Sequence, residues 1–241
     1  REVGTAGDAT LYQQLVDAAG AARGPLQDHG DDPEDYGGSG YLFNSLARAG
    51  LSYRDYGGLL RLSGYDGSLY HYDVPALDAL AGNVDLEYPG YGPKVTDSAR
   101  AAEFIADMQR YMEPDRMPNF TYVWLPSGES QADISDADHA LGKIVAFISH
   151  TPHWSSTAIF IVPQSIESPS DHVNPMRSYA LVVSPLARRG FVGSAHLSVA
   201  SVVKTEEEIF GLPPLGLSDL LATDLASFFT DVPAPEVYQA R

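Results

Sequence analysis

Six stretches of the chain repeat apolar residues at helical spacing, and they predict its helices. The clearest runs from Thr96 to Tyr111, where Ala101, Phe104, Ile105, Met108 and Met112 recur at i, i+3, i+4, i+7 and i+11. Thr96 or Asp97 is suited to cap its start, and Pro114 and Pro118 close it. Asp8 to Ala22 carries Leu11, Leu15, Val16 and Ala19 on one side, and Tyr41 to Ala49 reads as a helix stopped by Gly50 at C′. Ser135-Asp136-Ala137-Asp138 opens a helix with Leu141, Ile144, Val145 and Ile148 as its core stripe. Ser198 caps another that carries Val199, Val202, Val203, Ile209 and Phe210 as far as Gly211. Ser218 to Phe229 predicts the last, with Leu220, Leu221, Leu225 and Phe228 inward.

Between these lie short apolar, β-branched runs. Ala158-Ile159-Phe160-Ile161-Val162, bounded by Pro163, has the pattern of a strand buried on both faces of a parallel sheet. Leu51 to Tyr56, Phe120 to Leu125 and Tyr179 to Ser184 predict further strands, the last of them also buried. Arg23 to Gly40, rich in Gly, Pro, Asp and Glu, reads as loop, and His29 within it is read as a solvated histidine in preference to a metal ligand. An insertion spans 57–92, and nine of the fourteen tyrosines fall between Tyr36 and Tyr91. Tyrosine suits a recognition surface, but packing of this connection onto the domain through its aromatics is the preferred reading. The segment 231–241 contains prolines and reads as a frayed tail.

Alternating strands and helices over 241 residues fit one α/β domain, 1–241. The net charge of -17 excludes a bare phosphate backbone as partner and opposes docking on anionic membranes. The absence of cysteine excludes disulfides and thiolate metal sites. No apolar run reaches the ~20 residues of a membrane span, so membrane insertion is not expected. In so acidic a chain, the exposed pair Arg188-Arg189 is expected to meet a neighbouring carboxylate before any anionic ligand.

Several ordered motifs carry a resemblance. Gly40-Tyr41-Leu42-Phe43, Arg48 to Gly57 and Tyr88-Pro89-Gly90 are followed by Trp154-x-x-Thr157-Ala-Ile-Phe, Asp171-His172-Val173, Arg177-Ser178 and Ser184-Pro185. Arg188-Arg189-Gly190, Ser198-x-Ala-Ser201 and Lys204-Thr205 through Gly211-Leu212-Pro213-Pro214 complete the set. Together they resemble the metal-dependent phosphoesterase family of the alkaline-phosphatase superfamily, which includes acid phosphatases and phospholipases C. The resemblance implies a three-layer α/β/α sandwich with a mostly parallel sheet, alkaline-phosphatase-like, and an exported protein.

The chain departs from the family at the positions that carry its chemistry. Where the family has a metal-binding pair of aspartates after the strand ending at Val162, this chain has Gln164 and Ser165. Where Asp-x-His follows Asp171-His172-Val173, it has Asn174-Pro175-Met176. Glu129 falls in place of an Asn-Asp-His run. Arg1 to Asp8 is similar to the segment bearing the nucleophilic hydroxyl, with Gly4 at the hydroxyl position and Asp8 where a histidine is usual. By that alignment the family's first strand and its Glu-Asn ligands would precede Arg1. A metal-activated hydroxyl needs anionic or imidazole ligands around its cation. Gln164 and Ser165 offer neutral oxygens and Met176 a soft thioether, so the set suits a hard cation poorly.

The residues left at the implied cleft are Asp136, Asp138, Asp171 and His172. Asp136 and Asp138 also fit a capping box at a helix start, and capping alone suffices to explain them. Asp171-His172 is read as a loop-fixing pair in preference to a retained ligand. A triad of Ser165, His172 and Asp171 or Asp138 is disfavoured, because an orienting carboxylate must reach the far ring nitrogen. His139, His150 and His153 have no spacing that aims them at one metal. The expected function is therefore a phosphoesterase-family domain that has lost metal-dependent hydrolysis, with no cofactor, binding a small molecule or protein in the old cleft or through the tyrosine-rich insertion. One alternative is an active hydrolase whose divalent metal is held by Asp171, His172, Glu129 and Asp138. The other is a structural or interaction domain of a larger exported protein.

Overall fold

The structure, a computed structural model, describes residues 40–65, 70–75, 77–90, 92, 94–112, 116–126, 128, 130–163, 177–234 and 236–239; at 61–65 and 70–75 it describes the backbone alone. Helices and strands are mixed around a small parallel sheet. Helix α1 (Leu42–Arg48) leads through Gly50, at φ +70°, into strand β1 (Tyr53–Tyr56). The insertion that follows forms a hairpin, β2 (Leu60–Tyr65) against β3 (Tyr70–Pro75), interrupted by bulges. Helix α2 (Asp97–Met112) then crosses to strand β4 (Phe120–Val123), which pairs parallel to β1 with Tyr53 opposite Phe120 and Tyr56 opposite Val123. Asp55 also bridges to Val84 in parallel, so the 83–85 segment borders β1 on its other edge.

Each face of this parallel pair carries its own apolar cluster. Residues an odd number of positions apart on a strand face opposite ways. Tyr53 and Phe120 accordingly point to a cluster with Phe43, Leu46 and Leu80. Tyr56 and Val123 point to one built from Phe104 and Met108 of α2 and Ile144 and Ile148 of α3 (Gln131–Ser149). Phe104 and Met108 are 2% and 0% exposed, and burial of each side chain contributes roughly 1.5–3 kcal/mol. The stripes predicted for α2 and α3 are thus the surfaces that cover one face of the sheet. Phe210, at the end of α4 (Val199–Phe210), reaches the other face and meets the Phe120 ring at 6.3 Å.

Several expectations change. Helix α3 begins at Gln131, four residues before Ser135, because Ser130 accepts from Asp133 N–H while the Asp133 carboxylate accepts from Ser130 N–H. Strand β5 (Ile159–Ile161) is half-buried, not covered on both faces, and β6 (Leu181–Val183) pairs antiparallel to it with Leu181 exposed. Among the described residues parallel pairing is confined to β1, β4 and the Val84 bridge. The predicted last helix splits into α5 (Leu217–Leu221) and a 3₁₀ turn at Ala226–Phe228, leaving Leu220 and Leu221 exposed. Lys204 Nζ occupies the carbonyls of Leu220 and Ala222, and Asp224 accepts from Ala226 N–H, so side chains end α5 where propensity would continue it.

The tail, where described, is pinned and not frayed. Ala234 N–H reaches Pro185 O at 2.7 Å, Tyr238 N–H reaches Ser149 Oγ at 2.9 Å, and Trp154 Nε1 donates to Glu236 O. Arg189 pairs with Glu236, the neighbouring carboxylate expected of this basic turn, while Arg188 donates to Phe229 O at 2.9 Å. The helix predicted over Asp8 to Ala22, the loop with His29, and Gly4 and Asp8 lie outside the described residues.

Candidate functional site

An open parallel sheet presents its ligand-binding loops at the carboxyl ends of its strands. There β1 leaves the sheet through Gly57-Gly58-Leu59, with φ of +88° at Gly57 and +45° at Leu59. Asp55, fully buried, accepts from Gly58 N–H at 3.1 Å and ties off the turn. A Cβ at Gly58 would stand 2.8 Å from Asp55 Oδ1 and overlap the Tyr122 ring, so glycine alone fits. Gly57 lies against the ring of Tyr88, whose hydroxyl donates to Trp124 O at 2.6 Å. Tyr88 and Trp124 are 4% and 9% exposed, so aromatic side chains fill this end of the β1–β4 pair.

The carboxyl groups near this turn are held towards their neutral forms. Burial drives Asp55 well above the usual carboxylate range, against the pull of Gly58 N–H and the Arg54 charge. Its Oδ2 finds no hydrogen-bond partner among the described residues. Tyr122, paired with Asp55 across the strands, is 42% exposed, and its hydroxyl is raised by the burial of the remainder and by the charges of Asp55 and Glu206. Glu206 of α4 is pushed up to about 8, by burial and by the charge of Glu207.

On the opposite face a charged network joins β1, α2 and the 83–85 segment. Arg54 Nε donates to Asp107 Oδ2 at 2.6 Å and Nη1 to Val84 O at 3.0 Å, with Nη2 at 3.9 Å from Asp85. Tyr56 donates to Asp107 Oδ2 at 2.9 Å and Arg110 to Asp107 Oδ1 at 3.1 Å. With both Asp107 oxygens occupied and Arg54 buried, this network fastens β1, α2 and the 83–85 segment together, while Asp85 Oδ2 stays buried without a hydrogen-bond partner among the described residues.

Of the four residues the resemblance leaves at the cleft, Asp136 and Asp138 are described. Asp136 accepts from Ser98 Oγ at 2.5 Å and Ser98 N–H at 3.1 Å. Ser98 belongs to the first turn of α2, whose N–H groups have no partner within the helix, so Asp136 of α3 caps α2. Burial raises its carboxyl, but the hydrogen bonds from Ser98 outweigh that and leave it below the usual range. The capping expected of Asp136 thus occurs, on a neighbouring helix and not on its own. Asp138, two positions on, is exposed, and a spacing of two turns its side chain to another side of α3.

Glu129, Gln164, Ser165, Asp171, His172 and Met176 lie outside the described residues. Among the described residues no group of three or more His, Cys, Asp or Glu side chains is placed to hold a metal ion, and no helix is long and apolar enough to cross a membrane. A shallow hollow of about 590 Å³ lies between the last turns of α2 and α3, lined by Met112, Phe147 and His150 among others, with no carboxylate on its wall.

Two features escaped the sequence reading. Arg54 and Asp55 are adjacent opposite charges inside a four-residue strand, a pattern that demands buried partners. Glu206 follows Val202 and Val203 at i+4 and i+3, a spacing that sets an acid on the same side of α4 as these two, where it is half-buried.

A family model described as the phosphoesterase family matches residues 6–213. Comparison with curated proteins returns no match.

Proposed function

The chain belongs to the phosphoesterase family, and on that premise we propose that it is a member in which metal-dependent phosphoester hydrolysis has been lost and the fold serves in binding. The observation that carries this reading is the donor set at the family's ligand positions; Asp136, one of the cleft residues, is in addition taken up by Ser98 in capping α2. The chemistry of the donors supports it. The family's divalent cation requires carboxylate or imidazole ligands, and Gln164, Ser165 and Met176 supply two neutral oxygens and a thioether. These donors do not fit the cation, so no hydrolytic step is assigned to the chain. The three-layer sandwich and the export implied by the resemblance belong to the same proposal.

A second reading, a structural or interaction domain, draws on the filling of the β1–β4 strand end by Tyr88 and Trp124. The same filling favours the packing role for the insertion at Tyr88, which is buried in the core and not displayed.

Turnover of p-nitrophenyl phosphate and bis(p-nitrophenyl) phosphate with added zinc, manganese or calcium tests the proposal. The expected rate equals the buffer blank. Metal-dependent turnover that disappears in His172→Ala would overturn it and establish a site rebuilt from Asp171, His172, Glu129 and Asp138.

A further inference from the structure

Two carboxyl groups converge on one backbone N–H beyond the end of α4. Glu207, 2% exposed, and Asp219 of α5, 6% exposed, both accept from Leu215 N–H, at 2.9 Å and 2.6 Å. Asp219 also accepts from Gly216 N–H at 2.9 Å. Two acids sharing a single donor at these distances cannot both stay ionised without strong repulsion, so one proton held between them stabilises the arrangement. The groups facing the pair do not remove that repulsion. On α4 itself stand Glu206 and Glu208, both acidic, and from α5 comes Asp219. The ammonium of Lys204 is engaged by the Leu220 and Ala222 carbonyls.

Apolar burial does little to hold α5. Leu217, Leu220 and Leu221 are 69%, 53% and 73% exposed. Its attachment rests on polar contacts: the Asp219 cap, the Lys204 clamp, and Thr205 Oγ1 accepting from Leu225 N–H at 2.9 Å. The segment also begins where the family match stops, at residue 213.

We propose that Glu207 and Asp219 form a proton-dependent latch that holds the 213–222 segment against α4 when they share a proton and loosens it when that proton is lost. Burial, then the charge of Asp219, push Glu207 up to about 7, against the hydrogen bond from Leu215 N–H. Asp219 is raised by burial but brought below the usual range by the Gly216 and Leu215 N–H groups and by Glu207. An acid whose latched value lies above its free value stabilises the latch fully below the free value. That stabilisation is lost as pH rises through the latched value, so the latch weakens from about pH 4.5 and levels off above about 7.

Hydrogen exchange of the Leu215 and Gly216 amides in the full chain tests this, expressed as protection relative to unstructured peptide so that intrinsic base catalysis cancels. Protection is expected to fall by roughly tenfold or more between about pH 5 and about pH 7.5 and then to level off. In Glu207→Gln, which keeps the acceptor and adds a donor towards Asp219, protection is expected to stay high and flat. Protection in the native chain that does not change with pH overturns the latch, whether or not the variant folds. A pH dependence that persists unchanged in Glu207→Gln also overturns it.

Discussion

The two halves of the described structure are held by different forces. From Phe43 to Trp154 the elements are joined through dense apolar clusters and charges that are buried and paired: Leu46, Leu80 and Met108 are fully covered, and Arg54 and Arg100 are buried with all their described partners in place. Arg100 alone reaches Pro89 O, Gly90 O, Val95 O and Asp97, so it fixes the approach to α2. From Tyr179 onward, Val192, Leu221 and Val232 are 88%, 73% and 76% exposed, and backbone bonds and side-chain caps do most of the fastening. A family fold can thus keep a tightly built layer beside one that depends on single polar contacts, and the second is where protonation has the most leverage.

This contrast predicts a gradient of effects. Arg54→Ala strands Asp107 and Asp85 in the interior and is expected to cost about 3–5 kcal/mol in urea unfolding. Met108→Ala opens a cavity in the covered face and is expected to cost about 2–5 kcal/mol by the same measurement. Asp136→Ala removes an inter-helix cap, with a loss of about 1 kcal/mol and no change in any ligand binding. Leu221→Ala, in the loosely packed half, is expected to shift stability by no more than about 0.5 kcal/mol. Equal losses from Met108→Ala and Leu221→Ala would erase the comparison.

Protonation sharpens it further. Asp55 and Glu206 are raised above their free values by burial, the latter to about 8. Raised carboxyls stabilise the fold when protonated, and that contribution drains away as pH rises through the folded values. Thermal unfolding is therefore expected to show a midpoint that falls between about pH 5 and about pH 8, and Glu206→Gln is expected to flatten that slope. A midpoint that rises over this range would show that the carboxyls near Tyr122 are not held neutral.

Much of the tightly built half was legible in the sequence, because its signals are local and periodic. The stripe at Phe104 and Met108 marked α2, Gly50 marked the end of α1, and the run at Phe120 marked β4. What escaped depends on partners far along the chain. Arg54 meets Asp107 across 53 positions and Ser98 meets Asp136 across 38, and no local pattern announces either. Ser135-x-x-Asp138 offered a plausible capping box, yet Ser130 and Asp133 formed the real one, because both pairs fit one pattern and the chain used the earlier. Residues 218–229 carried helical apolar spacing, but Lys204 and Asp224 took up the backbone groups that a longer helix needs. The donor types of Gln164, Ser165 and Met176 are readable from the sequence alone, whereas the use of Asp136 as a cap for α2 required the fold.

The most direct test of lost metal chemistry is metal content by elemental mass spectrometry after incubation with zinc, manganese and calcium and then desalting. The account predicts far less than one ion per chain for each metal. One ion retained per chain in the native protein, and lost in His172→Ala, would contradict it.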